Sequence, residues 1–213
     1  MKIYESEIKD GLGDILSEES GIACCAVAES CTPEEGSKFK KLLAGDSAVA
    51  QNEDQIDLYY LKSILVSTGW NKNDDVFDPK ELWSAKDTPE DKPFNFMHNE
   101  KDIIGHITGN TVVDFEGVEV DCGTGGVPDA FNILTTSVIY TEWSDEDQRS
   151  RMQKIVSEIE DGKWFVSMEC LFPDFDYAMT APDGTIKVVK RSEASAFLTK
   201  HLRSYGGSGK YED

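Results

Sequence analysis

Residues 131–172 read FNILTTSVIYTEWSDEDQRSRMQKIVSEIEDGKWFVSMECLF, and the succession of patterns within them decides the fold class. Phe131 to Thr141 is dense in β-branched and aromatic residues and predicts a strand. Ser144 then caps a helix, and Asp145, Glu146 and Asp147 place acid in its first turn beside the positive end of the helix dipole. Met152, Ile155, Val156 and Ile159 recur at helical spacing and give that helix one apolar stripe. Gly162 stops it, and Trp164 to Phe172 follows as a buried strand.

The same alternation extends in both directions. Upstream, Asp57 to Ser67 (DLYYLKSILVS) predicts a strand and Asp78-Pro79 opens a short helix through Trp83, with proline at the favoured first position. Phe94 to Met97 leads into His98. Ile103 to Ile107 and Thr111 to Phe115 flank Gly109-Asn110 and predict a hairpin, to which Val118 to Val120 adds a short strand. Cys122 to Pro128 is a glycine-rich loop with no Lys-Ser/Thr after it, so it is no phosphate cradle. Downstream, Pro182-Asp183-Gly184 turns a hairpin between Phe175–Met179 and Ile186–Val189. A last helix from about Ser192 to Tyr205 ends at Gly206-Gly207. Many short strands with a few helices predict an α+β domain on an antiparallel sheet or barrel.

Residues 1–56 differ in character. They are rich in Glu, Ser, Gly and Ala and read as an irregular acidic arm, in which Thr32-Pro33-Glu34-Glu35 followed by Lys38 to Leu43 reads as one short helix with Thr32 as N-cap. The chain therefore divides into an arm (1–56), a domain (57–207) and a flexible tail (208–213).

Composition excludes several functions. The 213 residues carry 41 Asp and Glu against 21 Lys and Arg, a net charge of −20 that repels phosphate backbones and argues against nucleic-acid binding. No apolar run approaches the roughly 18 residues of a membrane span, and the acidic start is no secretion signal. Five cysteines, Cys24, Cys25, Cys31, Cys122 and Cys170, form no CxxC pair, and three histidines leave little for a metal site, so neither metal nor cofactor is expected. Reduced thiols in a cytoplasm fit best. Asn71 to Asp75 resembles a calcium loop, but Val76 occupies the position that requires glycine, which excludes an EF-hand. His106 lacks partners at metal-ligand spacing.

Two segments can carry chemistry: Met97-His98-Asn99 through Ile104-Gly105, and Phe165 to Glu169. A serine hydroxyl attacks a carbonyl at neutral pH only with a base beside it, and histidine titrates in the right range. His98 stands between an apolar strand and a polar loop. Ser167 interrupts an apolar strand, sharing a face with Glu169 while Met168 and Cys170 share the other. The residues alone leave a plainer reading open, in which Ser167 is a satisfied core hydroxyl and His98 a surface histidine.

The pattern His98-Asn99, a polar spacer and Ile104-Gly105 resembles the histidine motif of tailed-bacteriophage prohead (capsid maturation) serine proteases, which are related to herpesvirus assemblins. The helix Gln148–Glu160, the Asp161-Gly162 stop and the strand bearing Ser167 are similar to the way those enzymes present their nucleophile. The 69-residue separation of His98 and Ser167 lies in the same range. The tail Ala196 to Arg203 with Tyr205-Gly206-Gly207 also resembles relatives from T-even-type marine phages. The likeness spans residues 57–207. Two positions depart from it: Asn99 replaces the usual Asp, and Met168-Glu169 follow Ser167 where small residues are common.

The resemblance implies a small antiparallel β-barrel or sheet surrounded by helices. It implies a head-maturation serine endopeptidase that cleaves scaffold and major capsid proteins, and itself, inside the assembling prohead in the host cytoplasm. It also implies self-association within the prohead core. Ser167 would be the nucleophile, His98 the general base and Glu193 the residue that orients His98, with His201 as the alternative and Asp174, Asp176 and Asp183 next. The rival expectations are a protease-fold head protein without activity and an acidic adaptor unrelated to proteases.

Overall fold

The computed structural model describes residues 1–18, 21–30 (as backbone), 57–120 and 126–211. In chain order the helices are α1 (Glu5–Lys9), α2 (Gly13–Glu18), α3 (Pro79–Ala85) and α4 (Glu146–Glu160). The strands are β1 (Gly21–Ser30), β2 (Leu58–Ser67), β3 (Gly69–Trp70), β4 (Val76–Phe77), β5 (Pro93–Asn95), β6 (Ile103–Val113), β7 (Asn132–Tyr140), β8 (Phe165–Leu171), β9 (Tyr177–Thr180) and β10 (Ile186–Val189). The fold is mixed α+β with antiparallel sheets. The short helix capped by Thr32, and Cys122 to Gly125 of the glycine-rich loop, lie outside the described residues. No helix among the described residues is long and apolar enough to cross a membrane.

A six-stranded sheet runs in the order β5-β6-β7-β2-β1-β8. β2, β6 and β7 are segments rich in β-branched and aromatic residues, which suit a pleated surface. β2 and β7 pair from Leu58 opposite Tyr140 to Ser67 opposite Asn132, and β7 pairs with β6 on its other side. β1 is a difference from the expected irregular arm: Ala28, Glu29 and Ser30 pair with Ser63, Lys62 and Leu61. Its sequence, with three Ala and two Cys, is weak in strand formers, so backbone pairing gives it a strand conformation that propensity does not announce.

The Gly109-Asn110 turn does not form. β6 runs straight through it, because Gly109 and Asn110 pair with Thr136 and Thr135 of β7, just past a register shift between Ile107 and Gly109. Asn110 is buried, and its Nδ2 donates to the Lys86 carbonyl at 2.6 Å. The reversal comes later, where Asp114 Oδ1 accepts from the amides of Glu116 and Val118 and Gly117 takes φ +83°.

The chain clusters into two compact units, one of Met1–Ala23, Gly69–Val76 and Met168–Asp213, the other of Cys24–Thr68 and Phe77–Ser167. In the second, Met152, Ile155 and Ile159 of α4 bury against Leu61, Ile104 and Ile139, flanked by Tyr59, Phe94, Phe96, Trp143 and Trp164. The apolar stripe thus covers the sheet as expected. The cap of α4 is Asp145, whose side chain accepts from the Gln148 amide at 2.8 Å, one residue beyond Ser144. Elsewhere in this unit Trp83 of α3 meets Phe131 edge-on at 5.5 Å.

In the first unit, β9 and β10 form the hairpin turned by Pro182 to Gly184, paired from Tyr177–Val189 to Thr180–Ile186. The expected helix from Ser192 to Tyr205 is instead two 3-10 segments, Ala196–His201 and Arg203–Tyr205, because Leu202 adopts extended dihedrals. The chain then doubles back, so that the amides of Gly207 and Gly209 take the carbonyls of Leu202 and His201, each at 2.8 Å. Only glycine fits at 207, where a Cβ would lie 2.2 Å from the His201 carbonyl carbon. Buried Glu7 of α1 accepts from Arg191, Thr199 and the Tyr4 amide.

Candidate active site

His98 stands in the turn between β5 and β6, exposed to solvent. Met97 and His98 both have left-handed backbones, with φ of +54° and +56°. Such a conformation costs an L-residue about 1–2 kcal/mol each. Met97 is 72% exposed, so burial of its side chain does not offset that cost. Strain of this kind persists only where the surroundings over-determine it.

The surroundings are specific. The amides of Phe96, Asn99 and Asp102 donate to the carbonyls of Asp102, Phe96 and Asn99 at 2.9, 3.1 and 2.9 Å, closing the loop 96–102 on itself. Asn99 Oδ1 accepts from the Lys101 amide at 3.1 Å, the turn-forming bond that an aspartate would also make. The Asn-for-Asp departure therefore leaves the loop's geometry intact. From α4, Arg151 donates to both oxygens of Asp102, Nη1 at 3.0 Å and Nη2 at 2.6 Å, and lies over the Phe96 ring at 4.8 Å. The bonds to Asp102 raise the Arg151 pKa above its ordinary value, with partial burial acting the other way.

Gly105 has a steric reason. A Cβ there would lie 1.9 Å from the Val138 carbonyl oxygen and 2.9 Å from its carbon. Only glycine lets β6 approach β7 this closely.

Ser167 is exposed, in the middle of β8. That strand alternates exposed and half-buried residues, with Phe165 at 64% and Leu171 at 73% exposure. It is a half-buried strand, not the buried one its composition predicts. Ser167 and Glu169 share the exposed side, and Met168 and Cys170 are half-buried. Burial pushes the Cys170 thiol pKa up. Among the described residues the Ser167 hydroxyl makes no hydrogen bond.

β5 and β8 are the two edge strands of the sheet. Five spacings would separate them by roughly 24 Å in a flat sheet. Yet Phe96, just after β5, meets Trp164, just before β8, with ring centroids 5.2 Å apart. The indole Nε1 of Trp164 donates to Glu158 of α4 at 2.8 Å. Both rings pack on the core cluster that α4 buries against the sheet. The contact brings together segments that end two residues before His98 and three before Ser167.

Both residues belong to one compact unit, whereas Glu193 and His201 belong to the other. Glu193 is exposed and near enough to Lys9 to help hold its ammonium charged, after the larger effect of Glu5. His201 is half-buried against Tyr211, ring centroids 5.3 Å apart. Asp174 pairs with Arg191, Asp176 accepts from the Arg191 amide, and Asp183 holds the hairpin turn through Thr185. His106 Nδ1 is 2.8 Å from the Tyr140 hydroxyl. No cluster of His, Cys, Asp or Glu that could hold a metal occurs among the described residues. Neither Arg151 nor Asp102 is singled out by sequence, since they are 49 residues apart and belong to no motif. No family model matches the chain, and neither does any curated protein or solved structure.

Proposed function

We propose that this chain is a serine endopeptidase of capsid-maturation type, with Ser167 as nucleophile and His98 as general base. The observation that carries the reading is the strained Met97-His98 turn, whose two left-handed residues hold an exposed histidine in place. The contact of Phe96 with Trp164 supports it, because it draws the histidine loop toward the serine strand. The fold would then be a barrel-like antiparallel sheet of the assemblin kind, flanked by helices. The substrates would be scaffold and capsid proteins, together with the chain itself, in the assembling prohead.

In the reaction, His98 takes the Ser167 proton as the hydroxyl attacks the scissile carbonyl, then returns it to the leaving amine. Backbone amides would stabilise the oxyanion. The base and nucleophile close to hydrogen-bond distance when substrate is bound, as catalytic bonds that are long in an empty site do.

A second reading is favoured by the Ser167 hydroxyl, which makes no hydrogen bond among the described residues: a head protein that keeps the fold without activity. Incubating the purified chain alone and with scaffold and capsid proteins of its own assembly separates the two. The protease reading expects fragments by mass spectrometry from the wild type and none from Ser167→Ala. Equal processing by both variants, or none by either, defeats it.

A further inference from the structure

We propose that Arg151 is a positioning residue for His98, an inference that rests on the reading of His98 as the base. Arg151 of α4 holds loop 96–102 with two grips. The guanidinium forks onto both oxygens of Asp102 at the loop's end and lies over the ring of Phe96 at its start. Gln148, one turn earlier on α4, accepts from Arg151 Nη1 at 3.2 Å and fixes the fork's orientation. The two gripped residues are those joined by the closing bond from the Phe96 amide to the Asp102 carbonyl.

The left-handed pair Met97-His98 lies inside this closure and tends to relax. Three backbone bonds and one Arg–carboxylate fork oppose that relaxation. The fork is planar and bidentate, so it fixes direction as well as distance, which a lysine in its place would not do. A base misplaced by about 1 Å can lose on the order of a hundredfold in rate. Arg151 therefore acts on the imidazole's position and not on its chemistry.

The test pairs hydrogen exchange with active-serine labelling by a fluorophosphonate, on the full chain and on its Arg151→Met and Arg151→Lys variants. In Arg151→Met, the amides of Phe96, Asn99 and Asp102 should exchange at least about tenfold faster, while those of β2 and β7 keep their wild-type rates. The limiting labelling rate should fall by about 10- to 100-fold, with the half-saturating probe concentration unchanged. Arg151→Lys should lie between the two. Wild-type exchange at the three amides in both variants overturns the proposal, as does acceleration in Arg151→Lys that is equal across the sheet. A wild-type serine that takes no label overturns the reading of His98 as base, and the exchange data then judge the brace separately.

Discussion

Replacing Glu7 by Gln removes one charge from a pair whose side chains are both wholly buried. Four donors converge on the Glu7 carboxylate. Arg191 Nε and Thr199 Oγ1 reach Oε1 at 2.9 and 2.6 Å, and Arg191 Nη2 and the Tyr4 amide reach Oε2 at 2.7 and 2.9 Å. A glutamine of the same shape must turn an NH2 toward one of these pairs, so donors face donors. The guanidinium keeps Asp174 at 2.8 Å as its remaining anion, a half-exposed carboxylate that offsets part of the loss. Breaking a buried pair by removing one partner costs about 3–5 kcal/mol, and with Asp174 in place we expect the lower end. At about 2–4 °C per kcal/mol for a chain of this size, the melting temperature should fall by roughly 6–12 °C. Calorimetry and urea unfolding measure this, and a lower midpoint at unchanged slope marks a loss of stability. Glu7→Leu with Arg191→Met should recover much of it, since no buried charge is left unpaired. A loss under about 1 kcal/mol in Glu7→Gln would refute the argument.

Two further substitutions examine the histidine loop and the strand after it. Gly105→Ala should cost at least about 3 kcal/mol, the upper end for overpacking, because its Cβ would meet the Val138 carbonyl backbone at 1.9 Å; wild-type stability there would contradict the packing described. Met97→Gly should be neutral or stabilising by up to about 1 kcal/mol, since relief of the left-handed strain outweighs the added chain entropy. A loss above about 0.5 kcal/mol in urea would show that the turn is not strained.

Periodicity made much of the fold legible. The stripe of Met152, Ile155 and Ile159 identified α4 and the face it buries, and the β-branched runs identified β2 and β7. Punctuation by glycine and asparagine was less decisive. Gly109-Asn110 became paired strand, just past a bulge, because pairing with β7 on both flanks outweighed the local turn preference. The segment from Ser192 to Tyr205 broke at Leu202 once the carbonyls of His201 and Leu202 were taken by Gly209 and Gly207, partners no helical pattern contains. The apolar composition of β8 suggested burial, but an edge strand covered on one face leaves Phe165 and Leu171 in solvent. His98 and Ser167 were visible as chemistry-bearing types in context. The Asp102–Arg151 fork was not, because only the docking of α4 on the sheet brings those residues together.

The most direct measurement is the rate at which a fluorophosphonate labels Ser167, located by peptide mass spectrometry, in the wild type, Ser167→Ala, His98→Ala and the double variant. If the two residues act as one unit, wild-type labelling is confined to Ser167 and His98→Ala slows it by roughly 10³-fold or more. Ser167→Ala and the double variant then take no label. Label on a different residue, or a His98→Ala rate equal to wild type, would contradict the assignment of this pair as the catalytic centre.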